Sequence, residues 1–106
     1  MQRAAIAMSD SQLTARLAQA LLGWKPTPNR LMKPEGGWSP RARFQPLGKI
    51  ADAFRLLIAA GDFSVTRKGK VFAAEVQLGN RLGRASGPSA ARVIAIAIAR
   101  ALGLEA

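Results

Sequence analysis

The chain contains neither cysteine nor histidine, and this absence limits how a protein of its size can be stabilised. Disulfide bonds and thiolate metal sites are excluded, and a cytoplasmic setting fits. The 106 residues fit one domain, which can bury roughly two-thirds of the surface of the unfolded chain. The apolar content of 49% is well above that of disordered chains. No apolar run approaches the ~20 residues that a membrane span needs. We therefore expect a folded domain that does not cross a membrane.

Three segments have the periodicity of helices: residues 9–23, 46–61 and 87–103. In the third segment isoleucine alternates with alanine, which also fits a strand, but the alanine content favours a helix. Apolar residues surround nearly the whole circumference of this helix, which predicts deep burial. The second segment has an apolar stripe made of Leu47, Ile50, Ala51, Phe54, Leu57 and Ile58.

Two further segments, residues 62–66 and 71–78, alternate in the manner of β-strands. Between them, Arg67-Lys68-Gly69-Lys70 is typical of a hairpin turn. The interval from Leu78 to Ala85 leaves little room for a third strand. Residues 25–45 have no period and are rich in proline and glycine. They predict a long basic loop, functional or mobile, with a short edge strand around residues 41–44.

These elements predict an α+β protein with the order α-α-β-β-α. An antiparallel β-hairpin or small sheet is expected to be packed between helices, because two strands alone are only marginally stable. We expect a single domain over residues 9–106, preceded by a disordered lead at residues 1–8.

Several segments resemble one family of bacteriophage and prophage proteins. They are Leu13 to Trp24 (LTARLAQALLGW), Trp38-Ser39-Pro40, Lys49 to Phe54 (KIADAF) and Ala85 to Ala91 (ASGPSAA). In these segments, and over about residues 9–104, the chain is similar to the phage alpha/beta/alpha sandwich domain family. The chain departs from that family in Arg41-Ala42-Arg43-Phe44 and in its strong positive charge. The resemblance implies a protein acting in a bacterial host, and it implies no particular reaction.

A second resemblance concerns the double-stranded-RNA-binding domain. A helix, a hairpin and then Gly83 to Ser89 leading into an alanine-rich helix look like that domain. Such domains have three strands and direct a lysine cluster at the start of the last helix towards phosphates. Here the start of the last helix, Pro88 to Arg92, carries one base.

The side chains available for chemistry argue against catalysis. Histidine, the usual general base near neutral pH and the commonest metal ligand, is absent. No two carboxylates are spaced to share one helix or strand face, and Glu75 is expected to pair with Thr66 or a base of the turn. We therefore expect no enzymatic activity, no bound metal and no cofactor. The carboxylates are Asp10, Glu35, Asp52, Asp62, Glu75 and Glu105.

The formal net charge of +10 indicates an acidic partner. The bases concentrate in residues 25–49 and 67–84, and arginine, which can contact phosphate or carboxylate with two bonds, outnumbers lysine. The glycine-rich residues 79–87 precede a helix and fit either a flexible connection capped by Gly87-Pro88 or an anion-binding loop. Trp38 and Phe44 are candidate stacking groups for an unpaired base. The candidate partner-binding residues are Arg41, Arg43, Arg67, Lys68, Lys70, Arg81 and Arg84.

Three functions remain open from the sequence. The first is a phage accessory protein that binds an acidic partner protein, for example to antagonise a host complex that handles nucleic acid or acts in defence. The second is direct binding of nucleic acid, in the manner of a double-stranded-RNA-binding domain. The third is a virion or scaffolding component. An exposed strand edge or the apolar last helix also allows a homodimer.

Overall fold

Ser9 begins the first helix by a reciprocal cap. Its hydroxyl accepts a hydrogen bond from the N–H of Gln12 (3.1 Å), and the Gln12 side chain accepts one from the N–H of Ser9 (3.0 Å). The helix α1 (Asp10–Leu17) continues in a wider π-helical turn (Ala18–Leu22). It ends at Gly23, whose φ of 69° lies in the left-handed region that glycine favours. The structure is a computed structural model that describes residues 9–104, so the predicted disordered lead lies outside the described residues.

Residues 25–45 form a small sheet, not the predicted loop. Three short antiparallel strands pair in the order β1-β2-β3: β1 (Lys25–Pro26), β2 (Arg30–Met32) and β3 (Trp38–Pro40). A 3₁₀ turn (Arg41–Arg43) follows, so the edge strand predicted around residues 41–44 was misplaced and lies just before them. Leu31 is fully buried and anchors this sheet to the core.

The second half of the chain contains the larger sheet. The helix α2 (Ile50–Ala60) is followed by the antiparallel strands β4 (Asp62–Lys68), β5 (Val71–Leu78) and β6 (Arg81–Gly87), in the order β4-β5-β6. The strands β4 and β5 confirm the predicted hairpin. The expectation of no third strand was wrong, because the glycine-rich segment itself is β6. The last helix, α3 (Ala90–Leu102), is confirmed and is capped by Ser89.

Close contact between α3 and β6 depends on small residues. The side of Gly83 that would carry a Cβ faces the carbonyl oxygen of Ala97 and the backbone nitrogen of Ala101. Alanines on α3 therefore allow the helix backbone to lie directly on the strand. As predicted, α3 is deeply buried; its buried residues are Ala91, Val93, Ile94, Ala95, Ala97, Ile98, Ala99 and Ala101.

The larger sheet is not enclosed between helices. The helix α3 lies on the face of the sheet that contains Ala74, Val76 and Gly83, and α2 packs beside α3. The opposite face is open, and most of its exposed residues are polar: Asp62, Ser64, Thr66, Lys68, Glu75, Gln77, Arg84 and Ser86. Val71 and Leu82 on the same face are also exposed. An antiparallel sheet tolerates solvent on one face when that face is mainly polar. The described chain is therefore a small α+β domain with three helices and two three-stranded antiparallel sheets.

The apolar stripe predicted on α2 is only partly buried. Ala53, Leu56 and Leu57 face the core, whereas Ile50, Phe54 and Ile58 are exposed. The helix is thus rotated relative to the predicted stripe, because its nearest large neighbour is α3. Within residues 9–104, no helix is both long and apolar enough to cross a membrane.

Replacement of Gly83 by alanine tests the contact between α3 and β6. The added methyl group would overlap two backbone atoms of α3, which cannot move as a flexible side chain can. We expect Gly83→Ala to reduce the free energy of unfolding by about 1–3 kcal/mol or more, measured by urea denaturation. Gly87→Ala in the same strand is the control, since its new methyl group would meet only a side-chain carbon of Val93 at 3.4 Å. Equal stability of both variants would contradict the packing described.

Candidate partner-binding surface

Three acidic side chains are already engaged within the domain. Asp10 accepts two hydrogen bonds from the Arg92 guanidinium (3.0 and 3.2 Å) and raises the pKa of Arg92 above its ordinary value, first by this bonding and then by its charge. Glu75 pairs with Arg84 at 2.8 Å. Asp52 accepts a hydrogen bond from the N–H of Gln45 (2.9 Å). Both ion pairs are solvent-exposed and contribute little stability. Among residues 9–104, most of the cationic side chains therefore have no carboxylate partner.

Three of the predicted binding arginines make contacts within the domain. Arg41 donates hydrogen bonds to the carbonyl of Thr27 (3.1 Å) and to the carbonyl and hydroxyl oxygens of Ser11 (3.1 and 3.0 Å). It thus ties the small sheet to α1. Arg81 donates to the carbonyl of Leu102 at the C-terminus of α3 (3.2 Å), where a cation is favoured by the helix dipole.

Arg84 is the third of these arginines. It pairs with Glu75 from the neighbouring strand, since the register places the two residues opposite each other. The expected partner of Glu75, Thr66 or a base of the turn, was therefore wrong. Arg43 is another of the predicted binding arginines, and its side chain is exposed in the 3₁₀ turn.

The loop predicted at residues 79–87 was wrong. Residues Arg81–Gly87 are strand β6, which pairs with β5. In the first turn of α3, the Ser89 hydroxyl accepts a hydrogen bond from the N–H of Arg92 (3.4 Å), so one of the amides that could face an anion is already bonded within the chain.

Basic residues surround the turn between β4 and β5. The strand β4 ends at Lys68 and β5 begins at Val71, so Gly69 and Lys70 form a two-residue turn, with Gly69 at a φ of 65°. Arg67 donates a hydrogen bond to the carbonyl of Gly69 (3.0 Å) and lies over the Phe72 ring. Lys68 and Lys70 have no ion pair within residues 9–104. The turn is a cationic projection on one side of the domain.

The second cationic surface is the outer face of the small sheet. Lys25 lies opposite Met32, and Met32 lies opposite Trp38, so these side chains share one face. Arg30, two residues before Met32, is on the same face, and its guanidinium lies 4.1 Å from the centre of the Trp38 ring. Trp38 is 50% exposed. We call Lys25, Arg30, Met32 and Trp38 the small-sheet face.

The ring of Phe44 is not available for stacking. It is buried against Trp24, with ring centres 5.2 Å apart, so the prediction that Phe44 stacks on a base was wrong. Lys33 and Arg55 lie over the Trp24 ring, at 5.2 and 5.5 Å from its centre. This arrangement fixes the small sheet next to α2. Arg30 and Lys33 are among the bases of residues 25–49, but the sequence does not single them out, because only the fold brings them to the rings of Trp38 and Trp24.

The whole chain was compared with known proteins. It superimposes on the crystal structure of a phage protein from Bacillus cereus ATCC 14579 with a TM-score of 0.79, covering 100% of this chain and 98% of the other, at 13% sequence identity. The two proteins share a fold. At 13% sequence identity, this similarity is evidence for the fold only. No protein-family model and no curated protein matches the chain.

Arg41 and Arg43 provide a matched test of structural against surface roles. Arg41→Ala removes three hydrogen bonds from a charged donor, so we expect the free energy of unfolding to fall by about 1–2 kcal/mol. Arg43→Ala removes an exposed side chain and should change it by less than about 0.5 kcal/mol. Urea denaturation of both variants gives the comparison. A larger loss for Arg43→Ala would contradict the assignment of Arg41 as the structural arginine.

Proposed function

We propose that this is a non-enzymatic binding protein whose small-sheet face contacts an acidic surface of a partner protein. The observation that carries the proposal is the stacking of Arg30 on an exposed Trp38. Lys25 and Met32 lie beside this pair on the same face. The cations supply attraction to carboxylates, and the ring supplies apolar area for the centre of a contact.

The composition of this face favours a protein partner. Tryptophan, arginine and methionine are enriched in protein interfaces, and tryptophan and arginine dominate the binding energy. Stacking on Trp38 also limits the freedom of the Arg30 side chain before binding, so less conformational entropy is lost when a carboxylate is bound. The unpaired charge of the domain would accelerate encounter with an acidic surface.

The fold shared with a phage protein supports a role in the biology of phages or prophages. We propose, on this basis and on the segments quoted above, that the chain belongs among the phage alpha/beta/alpha sandwich proteins and acts in a bacterial host cell. The acidic partner would then be a host protein. One example is a member of a complex that handles nucleic acid or acts in defence. The contact would then use an acidic surface of that complex and not its basic nucleic-acid-binding surface, because like charges repel.

Direct binding of nucleic acid is the second candidate function, and strand β6 favours it. With β6 present, the chain from α2 to α3 has the helix, three strands and helix that resemble a double-stranded-RNA-binding domain. The start of α3 weighs against it, since the base there, Arg92, is held by Asp10. The pair of Arg30 and Trp38 would also suit an unpaired base.

Arg30 and Trp38 test the proposed surface directly. We expect Arg30→Ala and Trp38→Ala each to raise the dissociation constant for a fluorescently labelled glutamate-rich peptide by about tenfold, as removal of a central interface residue does. Fluorescence anisotropy titration provides the measurement. The same titration with single-stranded DNA and double-stranded RNA addresses the second candidate, whose affinity should fall by about 0.9 log units per log unit of salt for each duplex phosphate contacted.

Lys70→Ala is the control, because it removes one exposed charge from the turn between β4 and β5 and leaves the small-sheet face intact. If Lys70→Ala weakens peptide binding and Arg30→Ala does not, the small-sheet face is not the binding surface. Tight, salt-dependent binding of nucleic acid with weak peptide binding would favour the second candidate over the first.

A further inference from the structure

The strand β4 has a free edge. In the order β4-β5-β6, it pairs on one side with β5 and has no strand on its other side within residues 9–104. A seven-residue edge strand is a template for pairing with another chain. The opposite edge of the sheet differs, because the carbonyl of Arg84 on β6 already accepts a hydrogen bond from Arg100 (2.7 Å).

The hydrogen bond from Arg100 to the Arg84 carbonyl also shows which backbone groups of β4 face its free edge. The Arg84 carbonyl points away from β5, so Glu75, its partner in the register, directs its backbone groups to Ser64 on β4. Backbone groups alternate along an antiparallel strand. The amides and carbonyls of Phe63, Val65 and Arg67 therefore face the free edge.

Apolar side chains beside this edge lack cover. The helix α3 covers β5 and β6, whereas Phe63 on β4 is 44% exposed. On α2, which Gly61 alone connects to β4, a stripe of Ile50, Phe54 and Ile58 is 45%, 38% and 74% exposed. These residues are spaced four apart and so share one helix face. Both apolar groups lie on the helical side of the sheet.

We propose that β4 pairs antiparallel with β4 of a second copy of this chain, forming a homodimer with a continuous six-stranded sheet. The two-fold axis passes through Val65 of both strands. In this register Asp62 lies opposite Lys68 of the second copy, Phe63 lies opposite Arg67, and Ser64 lies opposite Thr66.

Charge complementarity selects this occupant and this register. Both ends of the paired strands join an acid to a base, and no like charges face each other, which stabilises cross-strand pairs. Registers shifted by one residue on each strand would match the outward backbone groups but would place Asp62 opposite Thr66, or Lys68 opposite Ser64. Only the register through Val65 aligns the whole strand and satisfies both charges.

The same symmetry covers the apolar stripe of α2. A two-fold axis perpendicular to the sheet places the helices of both copies on one face. The α2 helix of each copy, which Gly61 alone separates from β4, is then brought towards its counterpart on that face. Ile50, Phe54 and Ile58 of each copy would be buried between them.

Salt should favour this dimer. Each copy carries a formal charge of +10, so the copies repel each other, and added salt screens that repulsion while leaving apolar contact intact. Binding of an acidic partner has the opposite salt dependence. The dimer and the proposed function also use different residues, so either can fail without the other.

Sedimentation equilibrium of the full chain at low and high salt measures the association. We expect a monomer–dimer equilibrium that strengthens with salt. Ile58→Glu should raise the dissociation constant at least about tenfold, with no loss of fold because Ile58 is exposed. Leu82→Glu is the matched control and should leave the constant unchanged. It also charges an exposed apolar residue, but on β6 and on the face of the sheet away from the helices.

Charge reversal tests the register. Asp62→Lys and Lys68→Asp should each weaken the dimer, and the double variant should restore it, because each pair then again joins opposite charges. A monomer at every concentration and salt would overturn the proposal. So would a dimer that tolerates Ile58→Glu, or one that the double charge reversal does not restore.

Discussion

The domain depends on the contact between α3 and β6, where a helix backbone lies directly against a strand backbone. Gly83 makes this approach sterically allowed, and the alanines of α3 supply the matching flat surface. Because the chain has no cysteine, no disulfide can add the stability that cross-links supply in other small domains, and dense packing of this kind supplies it instead. The helices α1 and α2 and the strand β5 then pack around α3.

This packing determines which surfaces keep apolar or cationic side chains exposed to solvent. One helix can cover about two strands, so α3 leaves β4 and part of α2 with exposed apolar side chains. One face of the small sheet packs on the core through Leu31. The other face, with Arg30 stacked on Trp38, is exposed to solvent. We propose a different partner for each of these surfaces: an acidic molecule at the small-sheet face, and a second copy at β4. The opposite responses to salt that we expect of the two contacts follow from the same positive charge.

Local sequence patterns predicted the helices and the hairpin of β4 and β5, because helix periodicity, caps and turn residues depend on neighbours in the chain. They failed at β6, whose glycine and arginine content is typical of a loop, because a strand packed closely against a helix requires a small residue such as Gly83. They also failed in the small sheet, whose strands are too short to show alternation. Of the candidate site, Trp38 is exposed as expected, whereas Phe44 is buried against Trp24.

The sequence by itself determined the three helices, the lack of histidine and thiol chemistry, and the net charge of +10, since these depend on composition and local period. The tertiary structure alone decided which charges are paired within residues 9–104 and which are exposed to solvent. Asp10 and Arg92 are 82 positions apart in the chain yet form an ion pair, and Arg41 reaches Ser11 across 30 positions. Such contacts follow from how the elements pack, because no local pattern records which distant side chains the fold will bring together.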